Sequence, residues 1–111
     1  MKSNLRSEIN YDVLNLSGEI DLHHSPKLRE EILGSLKGKK SLLINMEDVS
    51  YIDSSGIASL VEGFQAAKEN KLSYGLLSIS GPALQVLTLT RLDKVFTLYN
   101  SIDQFQSQLQ T

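Results

Sequence analysis

Eleven residues in the middle of the chain, Glu47-Asp-Val-Ser-Tyr-Ile-Asp-Ser-Ser-Gly-Ile57, decide how this sequence folds. They follow Ser41-Leu-Leu-Ile-Asn45, a short apolar run that is typical of a buried strand. The apolar residues that come next recur at helical spacing and make one face: Ile57, Leu60, Val61 and Phe64. The segment 53–56 must therefore turn the chain from a strand into a helix.

Ser54 is the candidate N-cap of that helix. Its hydroxyl can accept a hydrogen bond from an amide of the first turn that has no partner within the helix. The positive end of the helix dipole also favours an added phosphate at this position. A serine in front of an apolar helix is most often only a cap, so the local pattern leaves a structural and a regulatory role open.

The remaining chain predicts an α/β domain. Two short alternating segments, 5–9 and 13–17, indicate an antiparallel hairpin around a turn at 10–12. Strand and helix signals then alternate. The strands are predicted at 41–45, 74–79 and 95–99, and the central helix at 54–70. An earlier helix begins at Ser25-Pro26, with Ser25 as its cap, and stops near Gly38. A later helix follows the turn at 80–82, with Val86 and Leu89 partly buried, and a capping box at 101–104 opens the last helix. This order predicts a single domain over residues 1–111 with a mixed, mostly parallel sheet of about four or five strands and helices packed against it.

The side of the central helix away from its apolar face is expected to meet solvent or a partner. It carries Ser55, Ser59, Glu62 and Glu69. Small residues on this helix also predict a low-relief strip that another surface can approach closely: Gly56, Ser59 and Gly63. The alternative is that Gly63 is merely tolerated, at a cost of about 1 kcal/mol relative to alanine.

Composition excludes several classes of function. The 111 residues are 41% hydrophobic and 22% charged with a net charge of −2, and the only basic cluster is Lys37, Lys39 and Lys40, so no nucleic-acid footprint is present. There is no cysteine, which excludes disulfides and thiolate sites. Neither a signal-peptide core nor an apolar run of about 20 residues occurs, and the expected location is the cytoplasm without membrane insertion.

No constellation for catalysis can be assembled from the sequence. Gly34, Gly38 and Gly63 do not have the spacing of a phosphate-binding loop. His23 and His24 are the only histidines, and without cysteine they do not complete a metal-ligand set. Either histidine could approach Ser54 as a base if their loops share one end of the sheet. The expectation is a protein that is not an enzyme, with no cofactor and no metal.

Two motifs carry a resemblance to a known family. Asp53-Ser54-Ser55-Gly56 followed by an aliphatic residue, behind a strand that ends in Asn45, resembles the signature of STAS domains. Gly18-Glu19-Ile20-Asp21 is similar to the second characteristic motif of that family, and it is expected to form a loop after the second strand. The resemblance covers nearly the whole chain and is closest to the small stand-alone anti-sigma-factor antagonists.

The resemblance implies a phosphorylation switch. Antagonists of this kind bind, when unphosphorylated, an anti-sigma factor that is also an ATP-dependent serine kinase, and this releases the sigma factor. The kinase then phosphorylates the serine after the aspartate, which is Ser54 here, and a phosphatase resets the switch. The family places a loop carboxylate beside that serine, which is Asp21 here. The partner-binding surface implied in this way comprises Asp21, Asp53, Ser54, Ser55, Gly56 and Ser59.

One departure from the family pattern bears on which partner is recognised, and the family also offers an alternative function. Kinase-coupled members commonly follow the serine–glycine pair with an aliphatic residue and another glycine, whereas Ala58 and Ser59 follow Ile57 in this chain. STAS domains also serve as accessory subunits of lipid-transport ABC systems and as modules of sensory complexes. In those proteins the same loop can be a fixed binding surface that is not phosphorylated.

Overall fold

The computed structural model describes residues 1–109, which form five strands and four helices. The strands are β1 (Lys2–Ser7), β2 (Tyr11–Ile20), β3 (Ser41–Ile52), β4 (Tyr74–Leu77) and β5 (Thr97–Tyr99). The helices are α1 (Ser25–Lys37), α2 (Ser54–Glu69), α3 (Gly81–Leu89) and α4 (Ile102–Gln108), and a 3-10 turn at Leu92–Lys94 precedes β5. The predicted α/β architecture is confirmed.

The five strands form one sheet in the order β1-β2-β3-β4-β5. β1 is antiparallel to β2, and each of the other pairs is parallel. Between β2 and β3 the register runs from Tyr11 opposite Ser41 to Ile20 opposite Ile52. The two strands therefore end together, and the loops that follow them leave the same edge of the sheet.

The sheet is covered on both faces, and the alternation of β3 shows this directly. Leu42 and Ile44 belong to the main core with the apolar stripes of α1, α2 and α3. Leu43 points the other way, into a smaller cluster that contains Phe105 of α4. All of these side chains are fully buried. Burial on both faces explains why this part of the strand reads as a continuous apolar run.

The strand β3 is longer than the sequence predicted, because it continues to Ile52 instead of ending at Asn45. Asn45 lies inside the strand, where its side-chain amide donates to Asn15 of β2 over 2.9 Å. Beyond it Val49 and Ile52 are buried while the residues between them are exposed. Because this part of the strand is not a continuous apolar run, the sequence pattern predicted that the strand ends at Asn45.

The hairpin is also confirmed with a shifted turn. The N–H of Glu8 donates to the carbonyl of Tyr11 over 2.8 Å, so the turn lies at residues 8–10, and Tyr11 and Asp12 belong to β2. β4 and β5 are shorter than the predicted ranges 74–79 and 95–99. Ser78, at φ 50°, ends the extended backbone of β4.

Two predictions about helix ends and faces were wrong. Ser25 is the first residue of α1, and its hydroxyl donates to the carbonyl of Leu22 over 3.4 Å instead of capping the helix. Leu89, predicted to be partly buried, is 78% exposed. At α4 the predicted cap bond is present, since the Ser101 hydroxyl accepts from the N–H of Gln104 over 3.2 Å. The side-chain oxygen Oε1 of Gln104 accepts from the backbone N–H of Asn100 over 2.8 Å, one residue before the predicted donor.

Within residues 1–109, no helix combines the length and the apolar character that crossing a bilayer requires.

Candidate functional site

The loops after β2 and β3 are joined at the edge of the sheet where both strands end. The backbone N–H of Asp53 donates to the carbonyl of Ile20 over 3.1 Å. The backbone N–H of Leu22 is also close enough to the Asp53 carboxylate to help lower its pKa below the ordinary value. Asp21 lies between Ile20 and Leu22, the two residues that approach Asp53. The structure thus brings Asp21 and Asp53, which the sequence singled out from separate motifs, to one edge.

Gly18 explains how β2 delivers Asp21 to this edge. Its φ of 83° lies in the left-handed region that favours glycine, and the register between β2 and β3 shifts between Gly18 and Glu19. The expectation that residues 18–21 form a loop was wrong for the first three residues, which belong to β2. A bulge keeps them paired with β3 while it changes the direction of the strand. Only Asp21 lies in the loop.

The carboxylate of Asp21 organises the start of α1. Its Oδ1 accepts from the backbone N–H groups of His23 over 3.0 Å and His24 over 3.2 Å. It also lies 2.8 Å from Nδ1 of the His24 ring. Desolvation raises the pKa of Asp21, but the backbone N–H of His24, the nearby His24 ring and the backbone N–H of His23 outweigh it and lower the pKa below its ordinary value. The group is therefore an ionised acceptor at neutral pH.

Asp53, and not Ser54, is the N-cap of α2. The Asp53 backbone is extended, at φ −104° and ψ −174°, and its Oδ1 accepts from the N–H groups of Ser55 over 2.9 Å and Gly56 over 3.2 Å. The prediction that Ser54 is the cap was wrong by one residue. Aspartate and serine are about equally good caps, so the sequence could not separate two adjacent candidates. The strand decides between them, because β3 ends at Ile52 and places Asp53 at the junction.

The hydroxyl of Ser55 completes the cap, since it donates to Oδ1 of Asp53 over 2.5 Å. This hydrogen bond is the main reason that the pKa of Asp53 lies below its ordinary value, and the backbone N–H groups of Gly56, Ser55 and Leu22 add to it against the opposing effect of desolvation. Both serines follow the same aspartate, but only Ser55 is tied to it.

Ser54 is the first residue of α2 and its side chain is exposed. Among residues 1–109, no hydrogen bond involves its hydroxyl. The hydroxyl lies at the positive end of the dipole of a 16-residue helix. It is therefore open both to a modifying enzyme and to a partner surface.

Gly56 and Ser59 are internal, which corrects the expectation that the small-residue strip faces solvent or a partner. Ser59 is 5% exposed, and its hydroxyl donates to the carbonyl of Ser25 at the start of α1 over 3.2 Å. A Cβ added at Gly56 would lie 2.7 Å from Cγ1 of Ile52 and 2.8 Å from Cγ2 of Ile20. The small-residue strip therefore packs against α1, β2 and β3 of the same domain.

Gly63 continues the same internal contact. A Cβ at this position would lie 2.5 Å from Cγ2 of Ile32 in α1 and 2.6 Å from the hydroxyl of Tyr74 in β4. The Tyr74 hydroxyl donates to the carbonyl of Leu60 over 2.8 Å, and burial raises its pKa well above the ordinary value. The glycine is thus required for the close packing of α2, and the interpretation that it is merely tolerated was wrong.

Sequence reasoning missed two exposed apolar side chains at this edge. Leu22, directly after Asp21, is 74% exposed, and Tyr51 near the end of β3 is 50% exposed. An apolar residue immediately after the second motif was the available signal. Large apolar groups beside a polar centre are typical of protein interfaces.

Comparisons with known proteins point to one family. The family model of the STAS domain matches residues 4–105. A curated relative, the anti-sigma-B factor antagonist of Bacillus subtilis (strain 168), is 31% identical over 85 residues, which are 77% of this chain and 78% of the relative.

Solved structures show the same fold. An anti-sigma factor antagonist from Mycobacterium paratuberculosis superimposes with a TM-score of 0.82 at 26% identity, over 99% of this chain and 94% of that chain. The anti-sigma factor antagonist SpoIIAA in its unphosphorylated form gives a TM-score of 0.83 at 19% identity, over 97% and 96% of the two chains. The phosphorylated form of SpoIIAA, a Bacillus cell fate determinant, gives 0.76 at 20% identity, over 98% and 100%.

Proposed function

The chain belongs to the STAS domain family, and we propose that it is an anti-sigma-factor antagonist whose binding to its partner is switched by phosphorylation of Ser54. The relatives named as anti-sigma factor antagonists support the first part of this proposal. The exposed Ser54 hydroxyl at the first position of α2 is the observation that carries the second part.

In the unphosphorylated protein the neutral hydroxyl of Ser54 lies on a surface whose neighbouring side chains are held in place by hydrogen bonds. Asp53 and Ser55 are fixed by the cap, and Asp21 is fixed by the amides of His23 and His24. Leu22 adds exposed apolar area to the same edge. A partner can dock here with little loss of conformational freedom in this domain, because the side chains around Ser54 are already held.

Phosphorylation changes the charge of this surface and leaves the fold intact. A phosphoserine adds about −1.5 to −2 charges at neutral pH, next to the carboxylate of Asp53. The dipole of α2 offsets part of the repulsion by roughly 0.3–1 kcal/mol. A partner surface that accommodates a hydroxyl has no such offset. A penalty of about 3 kcal/mol on the complex weakens binding on the order of a hundredfold.

The proposal includes the other components of the switch. The partner is an anti-sigma factor that is also an ATP-dependent serine kinase, and a phosphatase restores the hydroxyl. All three act in the cytoplasm, and the antagonist contributes binding without catalysis of its own and without contact to nucleic acid. The residues that meet the partner are Asp21, Leu22, Asp53 and Ser54, with Ser55 and Ser59 as internal supports.

A binding assay with a charge-matched control tests the proposal. Isothermal titration calorimetry with the cognate anti-sigma factor compares the wild-type protein with two variants. Ser54→Asp places one negative charge at the site, and the control Ser107→Asp places the same charge on the exposed face of α4. We expect Ser54→Asp to bind at least tenfold more weakly and Ser107→Asp to bind like the wild type. Equal affinities of all three proteins would contradict the switch at Ser54, and the absence of binding by the wild type would contradict the antagonist role.

A further inference from the structure

An open groove lies between β1 and α1 at the end of the sheet opposite Ser54. Its volume is about 560 Å³, and its lining includes Leu5, Asp12, Glu30, Gly34, Ser35 and Lys40. Asp12 is the second residue of β2, whereas the Ser54 edge lies at the other end of that strand. At about 3.3 Å per residue the two ends of β2 are more than 20 Å apart, so the groove is separate from the proposed switch.

Asp12 gives the groove a buried anionic group with an incomplete set of partners. The residue is 4% exposed, and its Oδ2 accepts from the hydroxyl of Ser35 over 2.6 Å. Its Oδ1 is buried without a hydrogen bond. The Lys40 ammonium lies 3.5 Å from Oδ1 and donates over 2.7 Å to the carbonyl of Glu8. The Lys40 ion pair is too long to be a hydrogen bond, so a donor that approaches Oδ1 more closely satisfies this oxygen better.

The wall that α1 contributes to the groove has free space. A Cβ added at Gly34 would meet no atom within 4 Å. A glycine inside a helix costs about 1 kcal/mol relative to alanine, and here its visible effect is to leave the groove open. Leu5 of β1, which is 45% exposed, supplies apolar surface on the opposite wall.

The charges around the groove favour a cation over an anion. Three acidic residues and two basic residues line it, which gives a formal charge of −1: Asp12, Glu30 and Glu31 against Lys27 and Lys40. The Lys40 ammonium is bonded to the carbonyl of Glu8 over 2.7 Å, and its side chain is 31% exposed on a flexible stem, so it can leave Oδ1 to another donor and keep that bond.

We propose that this groove binds a small amphiphilic cation, with an ammonium group that donates to Oδ1 of Asp12 and a short aliphatic chain that lies between Leu5 and the open helix face at Gly34. The buried carboxylate of Asp12 supplies the acceptor for the ammonium group, and the open space at Gly34 leaves room for the chain. The site does not depend on phosphorylation or on any partner protein.

The test uses three probes of equal chain length, hexylammonium, hexanol and hexanoate, titrated into the isotope-labelled full chain and followed by amide chemical shifts. We expect saturable shifts at Asp12, Gly34 and Ser35 with hexylammonium, and at least tenfold weaker binding of hexanoate. Hexanoate binding as tightly as hexylammonium, or no saturable shift with hexylammonium at millimolar concentration, would overturn the proposal.

Two variants and one control locate the site. Gly34→Leu fills the groove and should abolish the shifts, whereas Gly81→Leu, at the other helical glycine where a Cβ meets nothing within 4 Å, should leave them unchanged. Asp12→Asn keeps the acceptor for the Ser35 hydroxyl and removes the charge, so binding should fall at least tenfold. Undiminished binding by Gly34→Leu would overturn the proposal even if Asp12→Asn failed to fold.

Discussion

The hydroxyl of Ser55 donates to Oδ1 of Asp53 over 2.5 Å, while the hydroxyl of Ser54, one residue earlier, is exposed. Two adjacent serines therefore differ completely in environment. Ser55 is part of the cap that starts α2, and removing its proton donor would leave Asp53 with one partner fewer. The hydroxyl of Ser54 can be modified without breaking a hydrogen bond to any residue in the range 1–109.

This difference predicts that the cognate kinase phosphorylates Ser54 and not Ser55. We expect Ser54→Ala to abolish phosphate incorporation and Ser55→Ala to remain a substrate, because the second change leaves the exposed hydroxyl in place. Phosphosite mapping by mass spectrometry after incubation with kinase and ATP distinguishes the two. Phosphate found mainly on Ser55 would refute the assignment.

The cap geometry predicts effects on stability of different size at positions 53 and 54. Asp53→Ala should lower the free energy of unfolding by about 0.5–2 kcal/mol, because two amides of the first turn lose their acceptor. Ser54→Ala should change it by less than about 0.5 kcal/mol, as is usual for an exposed side chain. Urea unfolding followed by circular dichroism measures both. A larger loss in Ser54→Ala than in Asp53→Ala would show that the serine is the cap after all.

The lowered pKa of Asp53 predicts a loss of stability in acid. Its folded-state pKa lies below the ordinary value of 3.8, so the stabilisation is fully present above about pH 4 and is lost as the pH falls through the folded value. Asp53→Asn keeps a capping oxygen without a titrating group, and we expect a shallower decline below pH 4 in this variant. Thermal unfolding from pH 2 to pH 7 provides the comparison. Parallel curves for both proteins would mean that Asp53 does not contribute to the pH dependence.

The glycines of the two long helices predict stability changes of opposite sign. Gly56→Ala and Gly63→Ala each force a Cβ to within 2.8 Å of side-chain atoms in the core, and we expect a loss of about 1–3 kcal/mol. Gly34→Ala meets open space and should gain up to about 1 kcal/mol from helix propensity. Chemical unfolding of the three variants measures the free-energy changes. A gain in Gly63→Ala would show that α2 does not depend on close approach to Tyr74 and α1.

The fold was readable from the sequence because its signals are local. The apolar run before Asn45 and the helical spacing after Ser54 mark the central strand and helix, and α2 ends within one residue of its predicted end. The continuation of β3 to Ile52 was not readable, since beyond Asn45 the buried residues of the strand do not alternate and Asn45 itself is satisfied by Asn15 across the sheet. That pairing is a tertiary contact, and no window of sequence contains both partners.

The candidate site was readable only in part for the same reason. Both motifs lie at the same edge of the sheet, but burial decides which residues belong to the surface there. Ser59 has the position of an exposed residue on a helical wheel, yet it is buried by Ser25 of α1. Leu22 has an apolar side chain, yet it is 74% exposed. At Ser59 the packing of α1 against α2 overrides the helical spacing, and at Leu22 the loop between β2 and α1 leaves an apolar side chain outside the core.

The order of the strands in the sheet has a consequence for how the molecule assembles. Because the sheet order repeats the chain order, each strand finds its neighbour already present when it leaves the ribosome. The β1–β2 hairpin forms first from adjacent residues, and every later strand adds to one growing edge. The bond from Asp53 to Ile20 needs only the first half of the chain. We therefore expect a nascent chain that ends after α2 to expose a formed Ser54 edge before β5 and α4 have been synthesised.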